Sequence, residues 1–313
     1  MATSRSCPHL IFGGASLGLP GTEFDSPSAV TMLLERLAAH GVRTIDTAPR
    51  YPPTNPERSE TLLGAAQAAA SGFTIDTKLA FDFATRTGHG ESVAVAASAN
   101  ASLARLNAPR VRTMYFHVKA LKALQAAGKI EQVGVSNFSP DQVRDFVRAC
   151  EENDGETVKP KLYQGEYNLI DRGMETELLP LLREHGIAFV AYRALAAGFM
   201  TGNFVPGETA KEGTRFSDAH PLGKLVQSLY SAPRYAQAWE MFSSALEHHG
   251  ITPPEAGLRW ICYHSALGND DSVILGTSKI AYLEANIEAI EKGPLPSDLV
   301  EVLNRIGRIA NGG

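Results

Sequence analysis

Several things are scarce or missing in these 313 residues, and each absence removes a class of function. No long run of lysine and arginine occurs, and 29 basic residues face 34 acidic ones, for a formal net charge of -5. Nucleic acid, whose phosphates demand a cationic face, is therefore a poor partner. The three cysteines, Cys7, Cys150 and Cys262, are far apart, lack a C-x-x-C spacing and cannot all pair. That usage suits buried thiols in a reducing compartment. No stretch approaches the ~18 apolar residues of a membrane span, and the opening MATSRSCPHLIFGG has no signal-peptide core. A cytoplasmic protein with no membrane partner is the expectation. Nucleotide-loop signatures are absent too. GHGES (88–92) is followed by no G-K-[ST], and HLIFGGASLGLPG holds no G-x-G-x-x-G opening a helix. His89, His220, His248, His249 and His264 have no partners at metal-ligand spacing, so no metal site is expected.

What is present is alternation. With 44% hydrophobic residues the chain can bury a sizeable core. Strand-length apolar runs occur at 9–14, 43–47, 73–78, 111–117, 131–137, 161–168, 187–192 and 271–276. Helical spacing fills the intervals, as in 28–40, where Val30, Leu33, Leu34 and Leu37 share a face and Gly41 is a natural stop. A short helical piece, KALKALQAAGK, precedes the fifth run, and two helices near 234–248 and 253–266 precede the eighth. Residues 193–233, with several Gly and Pro, read as a long loop with little regular structure. Helices at 280–290 and 297–309 close the chain. Eight strand–helix units predict an α/β fold, a (β/α)8 barrel with a long loop after strand 7 and C-terminal helices. The whole chain, 1–313, is expected to be a single domain.

The ends of the runs carry the chemistry. TIDTAPRY (44–51) places Asp46 at the end of one strand and Tyr51 a loop-turn later. In isolation these are more often a capping aspartate and a loop tyrosine. A phenol titrates near ~10, so it serves as an acid at neutral pH only beside a cation. Lys78, ending the next run, supplies one. His117, Ser136, Gln164, Tyr192 and Gly276 end later runs, and four of the six spacings fit the ~30 residues of a barrel unit. The last, 84 residues, marks an insertion on the catalytic face. The 19 residues between His117 and Ser136 are too few: only residues 118–127 separate His117 from Gly128. Ten helical residues span ~15 Å, against ~17–20 Å for a strand, which leaves nothing for a loop, so the crossover is just possible if the fourth strand is short or its end is pulled down. His117 is therefore the strand-end residue whose placement is least secure.

DTAPRY, Lys78, His117, GVSNFS, YQGEYN, AYRALAAGFMTG, GLRWICYHSAL and VILGTSKIAYLEAN together resemble the aldo-keto reductase superfamily, in particular its aflatoxin-aldehyde reductase branch. The resemblance spans nearly the whole chain. It implies NADPH-dependent reduction of an aldehyde or ketone, with dialdehydes and fungal-type secondary metabolites as substrates by analogy. It makes Tyr51 the proton donor, Lys78 the cation beside it, Asp46 the partner of Lys78, and His117 a hydrogen-bond donor to the carbonyl. It assigns Ser136, Asn137 and Gln164 to the nicotinamide carboxamide, and Tyr192 to stacking on the ring. It further assigns Gly198, Gly276, Thr277, Ser278, Lys279 and Asn286 to the remainder of the cofactor. Arg193 departs from the family pattern, where a small residue precedes Pro-Leu, and so do Asn203 and Tyr282. Two other readings stand beside this one. One is a catalytically weak NADPH-binding barrel with a sensor role, favoured by Arg193 and the short segment after His117. The other is a metal-dependent hydrolase, for which only Asp46 and His117 offer strand-end ligands. The partner is a small carbonyl compound, and a homodimer is an open assembly state.

Overall fold

The computed structural model describes residues 6–80, 92–115, 121–152 and 158–312. Its centre is a closed barrel of eight parallel strands, each paired with its sequence neighbours and the last with the first. The strands are β1 (His9–Gly13), β2 (Thr44–Asp46), β3 (Thr74–Lys78), β4 (Val111–Tyr115), β5 (Ile130–Ser136), β6 (Leu162–Glu166), β7 (Ala188–Tyr192) and β8 (Ser272–Leu275). The expected architecture is thus present, and the strands fall within a residue or two of the apolar runs.

Alternation along each strand decides which residues face the barrel axis. Ile11, Tyr115, Leu162, Val190 and Ile274 form a separate small cluster. They come from five strands around the barrel, so they meet only inside it. Stepping by two from these positions puts Gln164 and Glu166 on the inward set of β6 and Tyr192 on that of β7. Ile45 and Ile75 belong to the large outer core instead, which turns Asp46 and Lys78 inward. The outer core lies between strands and helices: Val30, Leu33 and Leu37 of helix Pro27–Ala39 are buried against it, as are Leu299, Leu303 and Ile306 of helix Ser297–Ala310.

One expectation needs correction. Residues 193–233 are not merely loop: Ala196–Thr201 forms 3-10 turns and Gly223–Leu229 an α-helix. The short helical piece expected before β5 is present as a six-residue helix, Leu121–Ala126, which buries Leu121 and Leu124. At 1.5 Å per residue this helix is only ~9 Å long. β4 and β5 nonetheless keep one register, from Val111 opposite Ile130 to Tyr115 opposite Gly134. The helix described between these two strands is thus shorter than a full returning helix.

Candidate active site

The mouth at the C-terminal ends of the strands is organised by one ion pair. Lys78 Nζ donates to both Asp46 oxygens, at 2.7 and 2.9 Å, and to the Thr47 carbonyl at 3.0 Å. Gln164, 118 positions further along, donates its side-chain amide to Asp46 Oδ1 at 2.8 Å. The side chains of Lys78 and Asp46 are 12% and 5% exposed. Burial works against both charges, pushing the Asp46 carboxyl up and the Lys78 ammonium down. For Lys78 the field of Asp46, then Tyr51, outweighs burial and leaves its pKa raised. A bidentate contact with two further hydrogen bonds is the geometry of a carboxylate and an ammonium, so the pair is charged.

Tyr51 is fixed through its backbone. Its N–H donates to the Ala48 carbonyl at 3.0 Å, and its carbonyl accepts from Ser59 N–H at 3.1 Å. Ser59 lies in the first turn of helix Arg58–Ala65 and is itself fully buried, bonded to Thr47 Oγ1 at 2.8 Å and donating to the Gly14 carbonyl at 2.8 Å. The loop between β2 and this helix is thereby tied to β1 and β2. The Lys78 ammonium lies 5.1 Å from the centre of the Tyr51 ring. Arg50 approaches the same ring at 5.7 Å. His117 lies outside the described residues.

A second group follows along the ends of β5, β6 and β7. Asn137 takes a left-handed conformation (φ 59°) and donates to Ser136 Oγ at 3.2 Å. Its carbonyl oxygen accepts from the Tyr192 hydroxyl at 2.8 Å. Burial raises the Tyr192 phenol to about 12. Ser136, Asn137, Gln164 and Tyr192 are therefore contiguous: two amides, a hydroxyl and an aromatic ring, a set suited to a flat ligand bearing one C=O and one NH₂.

Beyond Tyr192 the chain bends sharply, with positive φ at Arg193, Ala196, Ala197 and Gly198. Within this turn the Ala196 and Gly198 N–H groups donate to the Arg193 and Leu195 carbonyls, at 2.7 and 2.9 Å. Arg193 does not reach into this turn. Its guanidinium bonds Glu166 Oε2 at 2.6 Å, and the backbone carbonyl of Arg193 accepts from Asn168 at 3.1 Å. Arg215 is exposed, yet its pKa is lowered, first by surrounding protein and then by Arg193.

At the far rim, Gly276, Thr277, Ser278 and Lys279 lead into helix Ile280–Glu291, which carries half-buried Asn286. Thr277 Oγ1 is bonded within this turn, to Lys279 O at 3.0 Å, and Lys279 lies over the Tyr282 ring at 5.6 Å. The helix N-terminus already holds an anion: Glu23 Oε2 accepts from Ile280 N–H at 2.9 Å. Glu23, Glu166, Arg215 and Tyr115 escaped the sequence reading. Glu166 and Tyr115 do fall on the inward alternation, a signal that was available. Glu23 and Arg215 lie in Gly/Pro-rich segments without periodicity. A cavity of about 460 Å³ at the opposite end of the barrel, lined by His9, His40, Arg43 and Arg112, contains none of these residues. Among the described residues no group of three or more His, Cys, Asp or Glu is placed to hold a metal, and no helix is long and apolar enough to cross a membrane.

An inward lysine–aspartate pair, a neighbouring tyrosine and a cluster of amides at the mouth of an eight-stranded parallel barrel are the features by which the chain can be placed in a family. The model of the aldo/keto reductase family matches residues 9–308, and the chain belongs to that family. It is 34% identical over 313 residues to the oxidoreductase sirO of Leptosphaeria maculans, covering 94% of this chain and 92% of that protein. It is 31% identical over 284 residues to an aldo-keto reductase of Pseudocercospora fijiensis, covering 86% and 94%. It is 30% identical over 336 residues to the human aflatoxin B1 aldehyde reductase member 2, covering 97% and 89%.

Proposed function

We propose that this single-domain barrel reduces an aldehyde or ketone to the alcohol, with NADPH as hydride donor and Tyr51 as proton donor. The observation that carries the reading is the Lys78 ammonium, fixed by Asp46 and Thr47 at the barrel mouth with the Tyr51 ring 5.1 Å away. Hydride addition to a carbonyl carbon builds negative charge on oxygen, so a donor aimed at that oxygen stabilises the transition state more than the ground state. Tyr51 gives its proton there. Lys78 stabilises the charge left on the phenol, and Asp46, held in turn by Gln164, keeps the ammonium in place. His117 completes the set as a hydrogen-bond donor to the carbonyl.

The donor set suits the cofactor. Ser136, Asn137 and Gln164 offer amide and hydroxyl groups to a carboxamide, and Tyr192 offers a ring face to a nicotinamide. Gly198, left-handed in the turn beyond Tyr192, presents bare backbone to the phosphates, while Gly276, Thr277, Ser278, Lys279 and Asn286 serve the adenosine end. The cofactor supplies the hydride; the residues above bind, orient and exclude water. Aldehydes of the kind named for the aflatoxin aldehyde relatives, including dialdehydes and products of secondary metabolism, are the substrate class, and the cytoplasm is the compartment. Fluorescence titration with NADPH and NADH, followed by 4-nitrobenzaldehyde in the same cuvette, tests the reading. Tight NADPH binding with turnover supports it. Binding without turnover across a carbonyl panel favours a sensor, and no binding to folded protein overturns the cofactor assignment.

A further inference from the structure

Lys78 has a second aromatic neighbour that the chemistry above does not use. Tyr115 ends β4 opposite Lys78 in the sheet register, is 3% exposed, and places its ring centre 5.4 Å from the ammonium. The fold makes room for that ring on its other side. Gly134 is opposite Tyr115 on β5, and a Cβ there would lie 2.5 Å from two ring carbons. Three adjacent strands therefore cooperate: β3 supplies the cation, β4 the ring, and β5 the glycine that admits it. The hydroxyl behaves differently from the ring. It is buried, forms no hydrogen bond of good geometry among the described residues, and has the Gln164 side chain as its polar neighbour. Burial, then Asp76 and Asp46, holds its pKa well above the usual phenol value, so it stays neutral.

We propose that Tyr115 is a positioning residue for the reductase reaction: its ring and that of Tyr51 form an aromatic enclosure that holds the Lys78 ammonium against Asp46. The inference rests on the reductase reading for its catalytic consequence. A lysine is a compact charge on a flexible four-carbon stem and has many rotamers. Asp46 and Thr47 fix the ammonium from one side. A ring face attracts a cation, and does so more strongly when water is excluded. Tyr115 thus both closes the barrel interior beneath the ammonium and favours its charged form. The π face alone is sufficient for this, which makes the hydroxyl dispensable.

The test compares wild type with Tyr115→Leu and Tyr115→Phe. In Tyr115→Leu, kcat with 4-nitrobenzaldehyde falls about tenfold, the magnitude of a partly desolvated cation–π contact. KM for NADPH stays within about twofold, and the solvent isotope effect on kcat rises as proton transfer becomes more limiting. Tyr115→Phe keeps wild-type kcat and melts close to the wild-type temperature, because the ring that faces the ammonium is retained. A loss of packing alone would lower the melting temperature of Tyr115→Leu without changing the isotope effect. The second readout needs no activity: proton–nitrogen NMR of lysine ammonium groups shows Lys78 protected from exchange in wild type and in Tyr115→Phe, and unprotected in Tyr115→Leu. If the leucine variant does not fold, Gly134→Ala, which crowds the ring, replaces it with the same expectations. Wild-type kcat and a protected ammonium in Tyr115→Leu overturn the proposal, as does a phenylalanine variant as impaired as the leucine one. A wild-type protein that turns over no carbonyl refutes the reductase reading, while the NMR result still decides whether the enclosure exists.

Discussion

Arg193 and Glu166 form an ion pair across the ends of β7 and β6, with Arg193 Nη1 2.6 Å from Glu166 Oε2. The residue after Tyr192 is where this chain departs most visibly from its family's pattern, and the pair shows how the large cation is accommodated. Its charge is met within the protein, and its guanidinium lies 5.8 Å from the centre of the Tyr192 ring. Glu166 also faces the Tyr230 hydroxyl at 3.4 Å, which ties helix Gly223–Leu229 to the barrel. The arrangement leaves Tyr192 and its bond to Asn137 in place.

The pair has a pH signature. Burial raises the Glu166 carboxyl, and Arg193 pulls it back. Without the cation the carboxyl rises further. A carboxyl whose folded pKa lies above its unfolded value favours folding below the unfolded pKa, and that gain is lost as pH rises. Arg193→Met should therefore cost about 1 kcal/mol, a modest value because both side chains are a quarter to a third exposed. The loss should be larger at pH 8 than at pH 5, and Arg193→Met/Glu166→Gln should recover most of it. Urea denaturation at the two pH values checks this.

Removing Lys78 should be far more damaging than removing Arg193. Lys78→Met strands the Asp46 carboxylate in a nearly closed site, and breaking a buried pair typically costs about 3–5 kcal/mol. Thermal unfolding should show a fall in Tm on the order of 10 °C. Lys78→Met/Asp46→Leu should be more stable than the single variant, though inactive.

Glu255 gives the opposite pH trend. Burial would raise its carboxyl, but hydrogen bonds from Lys292 and Arg259, both at 2.6 Å, leave its pKa lowered. A depressed carboxyl contributes stability that is present above the unfolded pKa, ~4.3, and is lost as pH falls through the folded value. Glu255→Gln should be about 1 kcal/mol less stable than wild type at pH 7. The gap should close on acidification below pH ~4. Chemical denaturation from pH 7 to pH 3.5 is the measurement.

Glu23 bears on cofactor choice. Its carboxylate caps the helix beginning at Ile280, the place assigned to the adenosine phosphate. An anion there opposes a second anion by roughly 0.3–1 kcal/mol, the scale of a charge at a helix terminus. Glu23→Gln keeps the hydrogen bond and removes the charge. It should tighten NADPH binding about two- to fivefold relative to NADH, an effect that shrinks with added salt.

What the sequence discloses and what it hides follow different physics. Asp46, Lys78, Gln164 and Tyr192 stand out because each is a polar residue ending an apolar run, and alternation turns them all toward one axis. The bond between Gln164 and Asp46 crosses 118 positions and has no local signature, so the amide expected to serve the cofactor also braces the Asp46 carboxylate. Helix Gly223–Leu229 escaped notice because its seven residues bury only Gly223 and Val226, too few for a periodic signal. The short helical piece before β5 is legible in KALKALQAAGK, and Leu121–Ala126 is its folded form, with two leucines buried on a turn and a half. Tyr115 looks like any core aromatic in VRTMYFH until β3 and β5 are beside it.

The most direct measurement is single-turnover oxidation of bound NADPH by 4-nitrobenzaldehyde, in wild type and in Tyr51→Phe at matched cofactor saturation. The proposed mechanism predicts rapid oxidation in wild type and a 10²–10⁴-fold slower rate in the variant, the usual worth of a positioned acid, with NADPH affinity unchanged. Equal rates in the two proteins would contradict Tyr51 as the proton donor.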